Sequence, residues 1–506
     1  MTKVETSYQE LLTLLREAAV LNSCASLLGW DEQTYLPQAG SAHRAEQLAL
    51  LAGLTHERST SPRIGELLTE FEQSGSLGDA DLALAVNVRE VRHSYDRNTK
   101  LPRALVEELS RTTTLAQSAW VSARKKSSFA EFQPWLEKMV SLKREQAEAL
   151  GYSDGVPYDA LLDEFEPGAS SQEIAAAFAP LREELVPLVA AIQQSSRRPK
   201  VELLTQRFRI DAQKKFAESA AKTIGFDFDA GRLDIAAHPF CSSMGPGDCR
   251  LTTRYNEHHF PGAFFGVMHE AGHGLYEQGV DPAAFGSPMG DAVSLGIHES
   301  QSRLWENFVG RSRAFWQHFL GAAQQAFPEA LTDVSLDDWY AAINDVRPSF
   351  IRVEADEVTY NLHIMLRFDL EQPLISGDLQ PADVPGVWNE TFSRYFGLTP
   401  PDDAHGCLQD IHWSAGLFGY FPTYALGNMY AAQFFEAAER DLGDLSAQFA
   451  RGEFRPLLDW LRKNIHSRGK QLRAGQLVQR VTGQPLSHRA LLTHLHRKCD
   501  ALYGLS

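Results

Sequence analysis

Several things are missing from this chain, and each absence removes a class of reading. There is no Cys-x-x-Cys pair. Five cysteines stand apart, at Cys24, Cys241, Cys249, Cys407 and Cys499. An odd number without framework spacing fits a reducing compartment better than a disulfide scaffold. No apolar run approaches the roughly 18 residues of a membrane span, and the opening MTKVETSYQE lacks the apolar core of a signal peptide. An excess of positive charge is missing too. The formal net charge is −17, a field that works against nucleic acid and anionic membranes without forbidding local basic pockets. The acidity is spread along the chain rather than gathered into a tail, so it reads as solubility. Internal repeats, low-complexity segments and long linkers are absent as well. These absences set the expectation of a cytoplasmic protein with no nucleic-acid and no membrane partner.

What is present is an ordinary globular composition over 506 residues, 43% hydrophobic and 22% charged, ample for a large core. Helical punctuation dominates. Tyr8, Leu11, Leu12, Leu15, Ala18 and Ala19 follow the three-four spacing of one helix face, and WDEQTYLPQAG (30–40) breaks it with Pro37 and Gly40. Further helices are predicted at about 41–54, 80–97, 103–125, 129–150, 171–193 and 202–223, with Pro102, Pro157 and Pro167 at or near their ends. Between 231 and 259 short apolar-polar alternations, split by Gly245, Pro246 and Gly247, predict two or three short strands around a turn. Helical patterning resumes from about 262, with loops near 280–290, 373–385 and 397–406. The fold class expected is mainly α: one large helical domain over 1–506 with a long groove and a small β-sheet beside the site. A helical N-terminal part, about 1–225, would cap a catalytic part, about 226–506.

The stretch GVMHEAGHG (266–274) carries the chemistry. Residues four apart share a helix face, so His269 and His273 can present two imidazoles to one ion. Glu270 stands beside the first, placed to take a proton from water that zinc makes acidic. With 17 histidines, a chance His-Glu-x-x-His is expected only about 0.04 times in a chain this long. A catalytic zinc needs three protein ligands and an open position. The local extension to a third histidine fails, because its glycine slot holds Tyr276 and its histidine slot Gly279. The third ligand must be remote, and LGIHESQSRLWENF (295–308) reads as a second helix carrying His298 and Glu299. Adjacent helical residues point about 100° apart, so one ligand is expected there. Glu299 completes a two-histidine, one-glutamate set.

Taken with these, six ordered motifs resemble the carboxypeptidase Taq family of thermostable metallocarboxypeptidases. They are His238-Pro239-Phe240, Asp248-Cys249-Arg250-Leu251-Thr252, the H-E-x-x-H itself, His298-Glu299-Ser300-Gln301, Ile351-Arg352-Val353-Glu354-Ala355-Asp356, and Gly406-Cys407-Leu408-Gln409-Asp410-Ile411-His412-Trp413. WDEQTYLPQAG is similar to the family's N-terminal region, so the resemblance runs over nearly the whole chain. It implies a mainly helical fold with a long groove, one zinc or cobalt ion per chain, a homodimer, and removal of single C-terminal residues from peptides with broad preference, poorly at proline. By motif, His269, His273 and Glu299 would hold the metal and Glu270 would be the base. In several other zinc peptidases with a glutamate as third ligand, an aspartate one turn later orients a ligand histidine. Here that position is Arg303, which leaves the partner of the ligand imidazoles open.

Holding a free carboxylate calls for arginine, whose planar fork matches it. Arg250, in the strand region, and Arg352 are the candidates. Arg352 is expected to start a helix on which Asp356, Thr359 and His363 share its face, a face that could equally be solvent-exposed. In HWSAGLFGYFPTYALGN (412–428), His412 and Tyr420 could donate to a developing oxyanion, although aromatics beside glycines also simply fill space. His238 could line the groove. Two alternatives stay open: a related dipeptidyl carboxypeptidase or oligoendopeptidase, and a catalytically silent helical peptide-binding protein.

Overall fold

A computed structural model describes residues 2–75, 77–79, 82–152 and 155–505. Helices dominate it. Those that matter for the site are α1 (Lys3–Thr34), α2 (Ser41–Ser59), α3 (Phe260–Glu277), α4 (Leu295–Arg303), α5 (Thr359–Ser376) and α6 (Pro422–Leu442). The helices expected at 103–125, 129–150 and 171–193 are found as Arg103–Lys126, Phe129–Leu150 and Ser171–Gln194. That at 80–97 is found as Ala83–Lys100, positions 80 and 81 lying outside the described residues. The expected 202–223 helix divides into a 3₁₀ turn at Val201–Thr205 and a helix at Ile210–Ile224. The chain leaves helical geometry between them because the Phe208 amide donates to the Glu257 carbonyl at 2.7 Å and the Gln213 side chain donates to the Phe208 carbonyl.

Three strands form the small sheet: β1 (Gly231–Ile235), β2 (Cys241–Ser243) and β3 (Cys249–Thr253). Their order is β1-β3-β2, with β1 parallel and β2 antiparallel to the central β3. The β2–β3 turn needs Gly245 and Gly247, whose φ angles of 116° and 81° would strain any side chain. α3 packs along β2 and β3.

One apolar core runs from Ala116 to Tyr503, so the helices before residue 225 share it with the segments that follow. A smaller cluster of Leu11, Ile64, Leu67, Leu68, Phe71, Val88 and Val91 lies under the N-terminal helices. Three details differ from expectation. α1 continues through WDEQT before Tyr35 ends it. It is also, by length and composition, a helix long and apolar enough to cross a membrane, against the expectation that no segment is. Its apolar run tolerates Arg16 and Glu17, which a reading by uninterrupted runs rejects. And α5 passes through Pro373 to Ser376, shortening the loop expected at 373–385. That proline lies in the last turn, where its carbonyl accepts from Gly377 and Leu379.

Candidate metal centre

The site is built where α3, α4 and α6 cross. Pro261 is the second residue of α3, where a missing N–H costs nothing, and the His259 ring accepts from the Gly262 amide at 3.2 Å. Its buried face carries Phe264, Phe265, Val267, Met268, Ala271, Leu275 and Tyr276, which orients His269 and His273 together. α4 is fixed at its start twice over. Ser294 accepts from the Ile297 amide at 3.1 Å, and buried Glu166 accepts from the Gly296 amide at 2.9 Å and from the Tyr430 hydroxyl at 3.1 Å.

Two glycines let the helices meet. A Cβ on Gly272 would lie 2.6 Å from the Gln301 carbonyl oxygen and from Ser302 Cα, and one on Gly427 would lie 2.5 Å from Glu299 Cγ. Bare backbone at these positions brings α3 and α6 against α4, and with them Glu299 against the two histidines.

Glu299 Oε2 lies 3.6 Å from His269 Nε2 and 3.5 Å from His273 Nε2, and all three ligand atoms fall within 4.8 Å of one another. A tetrahedral ion with bonds of about 2.0–2.1 Å separates its ligand atoms by about 3.4 Å, so this donor set fits a divalent metal. Both ring Nε2 atoms are turned inward because each Nδ1 is engaged elsewhere. His269 Nδ1 donates to Glu306 Oε2 at 2.9 Å, and His273 Nδ1 meets His298 Nδ1 at 2.5 Å. Glu306 is the partner that sequence reasoning sought at Arg303. It sits in a π-helical turn, Leu304–Gly310, that continues α4. Arg303 faces the site differently, donating from Nε to Glu299 Oε1 at 2.7 Å and from Nη1 to Glu306 at 3.3 Å. His298, once a rival ligand, stands behind His273.

Electrostatics follow from burial and neighbours. Burial alone would push Glu299 up, but Arg303 and the two imidazoles outweigh it and hold it far below the usual carboxylate range. Glu306, likewise buried, is held at about 2 by His269 and Arg303. Burial lowers His273 to about 4, favouring the neutral ring that a ligand must be. Glu270 is pushed up to about 7, chiefly by burial. Among the described residues no donor hydrogen-bonds its carboxylate, which leaves it available to water.

A second cluster adjoins the first. The Arg303 guanidinium stacks 4.4 Å over the Tyr360 ring, and the Tyr360 hydroxyl accepts from Arg352 Nη1 at 3.0 Å. Arg352 also donates twice to Asp410 Oδ1, at 3.0 and 2.8 Å, while Arg367 holds the other oxygen of the same carboxylate. His412 packs on Phe421 with ring centroids 4.4 Å apart, faces the Tyr424 hydroxyl at 3.4 Å, and lies beside the Tyr420 ring at 5.4 Å. Burial lowers it to about 4, so it is neutral. Glu371 secures this loop by accepting from Trp413 Nε1, the Gly419 amide and the Tyr158 hydroxyl.

Arg352, His412 and Tyr420 are thus brought together beside the metal ligands. The helix expected to start at Arg352 is not there. Arg352–Glu354 is a single 3₁₀ turn and α5 begins at Thr359. Asp356 ends the intervening stretch by accepting from the Val358 and Thr359 amides, both at 2.9 Å, so it serves as a cap. The face that solvent could have covered is buried at Arg352, Thr359 and His363. Arg250 and His238 stand apart from this cluster. Arg250 is bound to Asp248 at 2.8 and 2.7 Å and stacks 4.2 Å over Trp30, the first residue of WDEQTYLPQAG. His238 is exposed and, among the described residues, forms no hydrogen bond.

Two imidazoles and a carboxylate on crossed helices, each held from behind, define a divalent-metal hydrolase centre of the H-E-x-x-H type. The chain belongs to the carboxypeptidase Taq (M32) metallopeptidase family, whose pattern matches residues 10–499. It is a metallocarboxypeptidase, a hydrolase acting on peptides. It is 49% identical over 508 residues to thermostable carboxypeptidase 1 of Thermus thermophilus, covering 99% of both chains. It is 40% identical over 504 residues to carboxypeptidase 1 of Bacillus subtilis, covering 99% of this chain and 100% of that one. The solved M32 carboxypeptidase from Deinococcus radiodurans R1 matches with a TM-score of 0.95 at 40% identity, over 99% of this chain and 100% of that one.

Proposed function

We propose that the protein is a zinc-dependent carboxypeptidase that releases single C-terminal residues from peptides with broad preference and acts poorly at proline. The convergence of His269, His273 and Glu299 beside an unengaged Glu270 carries this reading. Zinc bound there, or cobalt in its place, supplies Lewis acidity to the scissile carbonyl and acidifies water. Glu270 removes a proton from the water that adds to the carbonyl carbon. As the C–N bond breaks, it returns that proton to the leaving amine. His412, Tyr420 and Tyr424, which adjoin one another, are the neutral donors assigned to stabilise charge on the carbonyl oxygen.

We assign the substrate carboxylate to Arg352. Two guanidiniums share the single Asp410 carboxylate, so this buried cluster keeps one positive charge in excess. A free carboxylate neutralises it, and two of the five guanidinium N–H groups remain available on Arg352. Arg250, already paired and stacked, is assigned with His238 to the groove edge; Arg250 is on the sheet that packs against α3 and His238 is in the loop between β1 and β2. Arg352→Ala leaves Asp410 paired with Arg367, so the fold should hold. The expected result is a loss of about 10- to 100-fold in kcat/KM for peptides with a free C-terminus, with hydrolysis of the amidated peptide, already slow, unchanged.

The function itself is tested by product analysis on one peptide with a free and one with an amidated C-terminus, with and without chelator. Single residues should leave the free peptide only, and the chelator should stop the reaction until zinc or cobalt is restored. Dipeptide products, or cleavage of both peptides at equal rates, would replace this reading with a dipeptidyl carboxypeptidase or an oligoendopeptidase. The family resemblance supports a homodimer, and the five unpaired cysteines agree with a cytoplasmic location. The core shared from Ala116 to Tyr503 supports reading the helical part before residue 225 and the catalytic part as one domain.

A further inference from the structure

The two ligand histidines are held by different means. His269 Nδ1 bonds a carboxylate directly, that of Glu306. His273 Nδ1 instead meets another imidazole, His298 Nδ1, at 2.5 Å, with the rings 4.6 Å apart and tilted by 33°. The far side of that second ring, Nε2, bonds Glu277 Oε1 at 2.8 Å. Glu277 lies on α3, one turn beyond His273, and His298 is the α4 residue just before Glu299. The Tyr276 ring covers His298 at 5.1 Å.

A metal held by His273 Nε2 requires one arrangement of protons along this line. An ionised carboxylate only accepts, so the His298 proton is on Nε2, facing Glu277. A neutral His298 then has a bare Nδ1, and the hydrogen between the two rings belongs to His273 Nδ1. That leaves the lone pair of His273 on Nε2, on the side of Glu299 Oε2. The alternative, with a proton on each nitrogen of His298, would force the His273 proton onto Nε2 and take that nitrogen out of the donor set.

We propose that His298 is a positioning residue for the metal centre: bridging Glu277 and His273, it fixes the proton of His273 on Nδ1 and aims Nε2 at the ion. This rests on the metal reading given above. It makes Glu277 a remote contributor to metal affinity, acting through a ring that never touches the ion.

The test compares zinc affinity of the full-length apoenzyme, titrated against a chromophoric chelator, across three substitutions. In His298→Asn the side-chain oxygen stands near the former Nδ1, so the acceptor facing His273 remains and the hydrogen bond to Glu277 is broken. In His298→Gln the amide reaches the former Nε2 position, so the hydrogen bond to Glu277 remains and the acceptor facing His273 is removed. His298→Ala removes both. The zinc Kd is expected to rise about 10- to 100-fold in the alanine and glutamine variants and to stay nearer the wild type with asparagine. Thermal unfolding of each apo variant accompanies the titration. A role in packing alone predicts the opposite order, because glutamine fills the space better than asparagine. Glutamine equal to or better than asparagine, or alanine equal to the wild type, overturns the proposal while leaving the metal reading intact. A wild type that takes up no zinc, or whose affinity is unmoved by His269→Ala, overturns both.

Discussion

Replacing Glu270 by glutamine is expected to lower kcat by about 10²- to 10⁴-fold, the usual worth of a positioned general base, with zinc still bound and the fold unchanged. The amide is close in shape and volume to the carboxyl, and among the described residues no donor to the native carboxylate is left unpaired by the change. The proposed ligands are three other side chains, so metal analysis of the purified variant should still find one ion per chain. KM should move little, since the proposed substrate contacts lie on Arg352 and the 412–424 segment. A clean, zinc-loaded Glu270→Gln preparation that retained turnover would sink the assignment of the base. The metal-ligand assignment would survive that result.

The second large effect comes from a residue with no side chain. Gly272 is one of the two unspecified positions inside His-Glu-x-x-His, yet it is not free to vary. A methyl group there would press on the Gln301 carbonyl and the Ser302 backbone at 2.6 Å. Backbone cannot rotate aside, so α3 and α4 must separate. The overpacking alone costs about 1–3 kcal/mol. The functional cost is greater, because His269 and His273 are on one of these helices and Glu299 is on the other. A displacement near 1 Å is worth about 10²-fold at a reacting centre, and Gly272→Ala is expected to lose at least that in activity together with a weakened hold on zinc. Gly266→Ala, on the same helix, is the control. Its Cβ would meet only Thr253 Oγ1 at 3.4 Å and Pro239 at 4.0 Å, ordinary contacts, and it should bind zinc like the wild type. Equal behaviour of the two variants would show that helix separation does not set the geometry of the site.

These two residues also mark what the sequence could and could not say. His269, Glu270 and His273 were legible because i, i+4 spacing on a helix is a local rule. Glu299 was legible because a catalytic metal needs a third protein ligand and the local extension fails. Gly272 carried no such signal, since its importance is set by which backbone lies across from it. The same holds for Gly427 and for the Glu277–His298–His273 line, which join helices in space. Glu306 left a trace that could have been followed. It stands seven residues after Glu299, two helical turns on and close to the same face, one turn beyond Arg303. Arg352 shows the opposite failure. Four polar residues at helical spacing suggested a helix, and the Asp356 side chain instead caps one that starts later, at Thr359. The cluster in which Arg352 sits was assembled from three distant stretches by burial, which periodicity does not report.

One feature of the centre bears on which ions it can accept. Four carboxylates, Glu270, Glu277, Glu299 and Glu306, surround the ligand imidazoles together with two guanidiniums, Arg303 and Arg311. Counted with all four carboxylates ionised and the imidazoles neutral, these groups carry two negative charges in excess. A dication brings the neighbourhood to electroneutrality, whereas a monovalent or trivalent ion leaves a net charge in a poorly solvated interior, where charge is costly. The surroundings therefore favour a dication over an ion of another charge. The same balance reaches the base. Glu270 is raised first by burial and then by the charges of Glu299 and Glu306. Closing the charge deficit relieves that repulsion and shifts Glu270 toward the ionised form that can accept a proton.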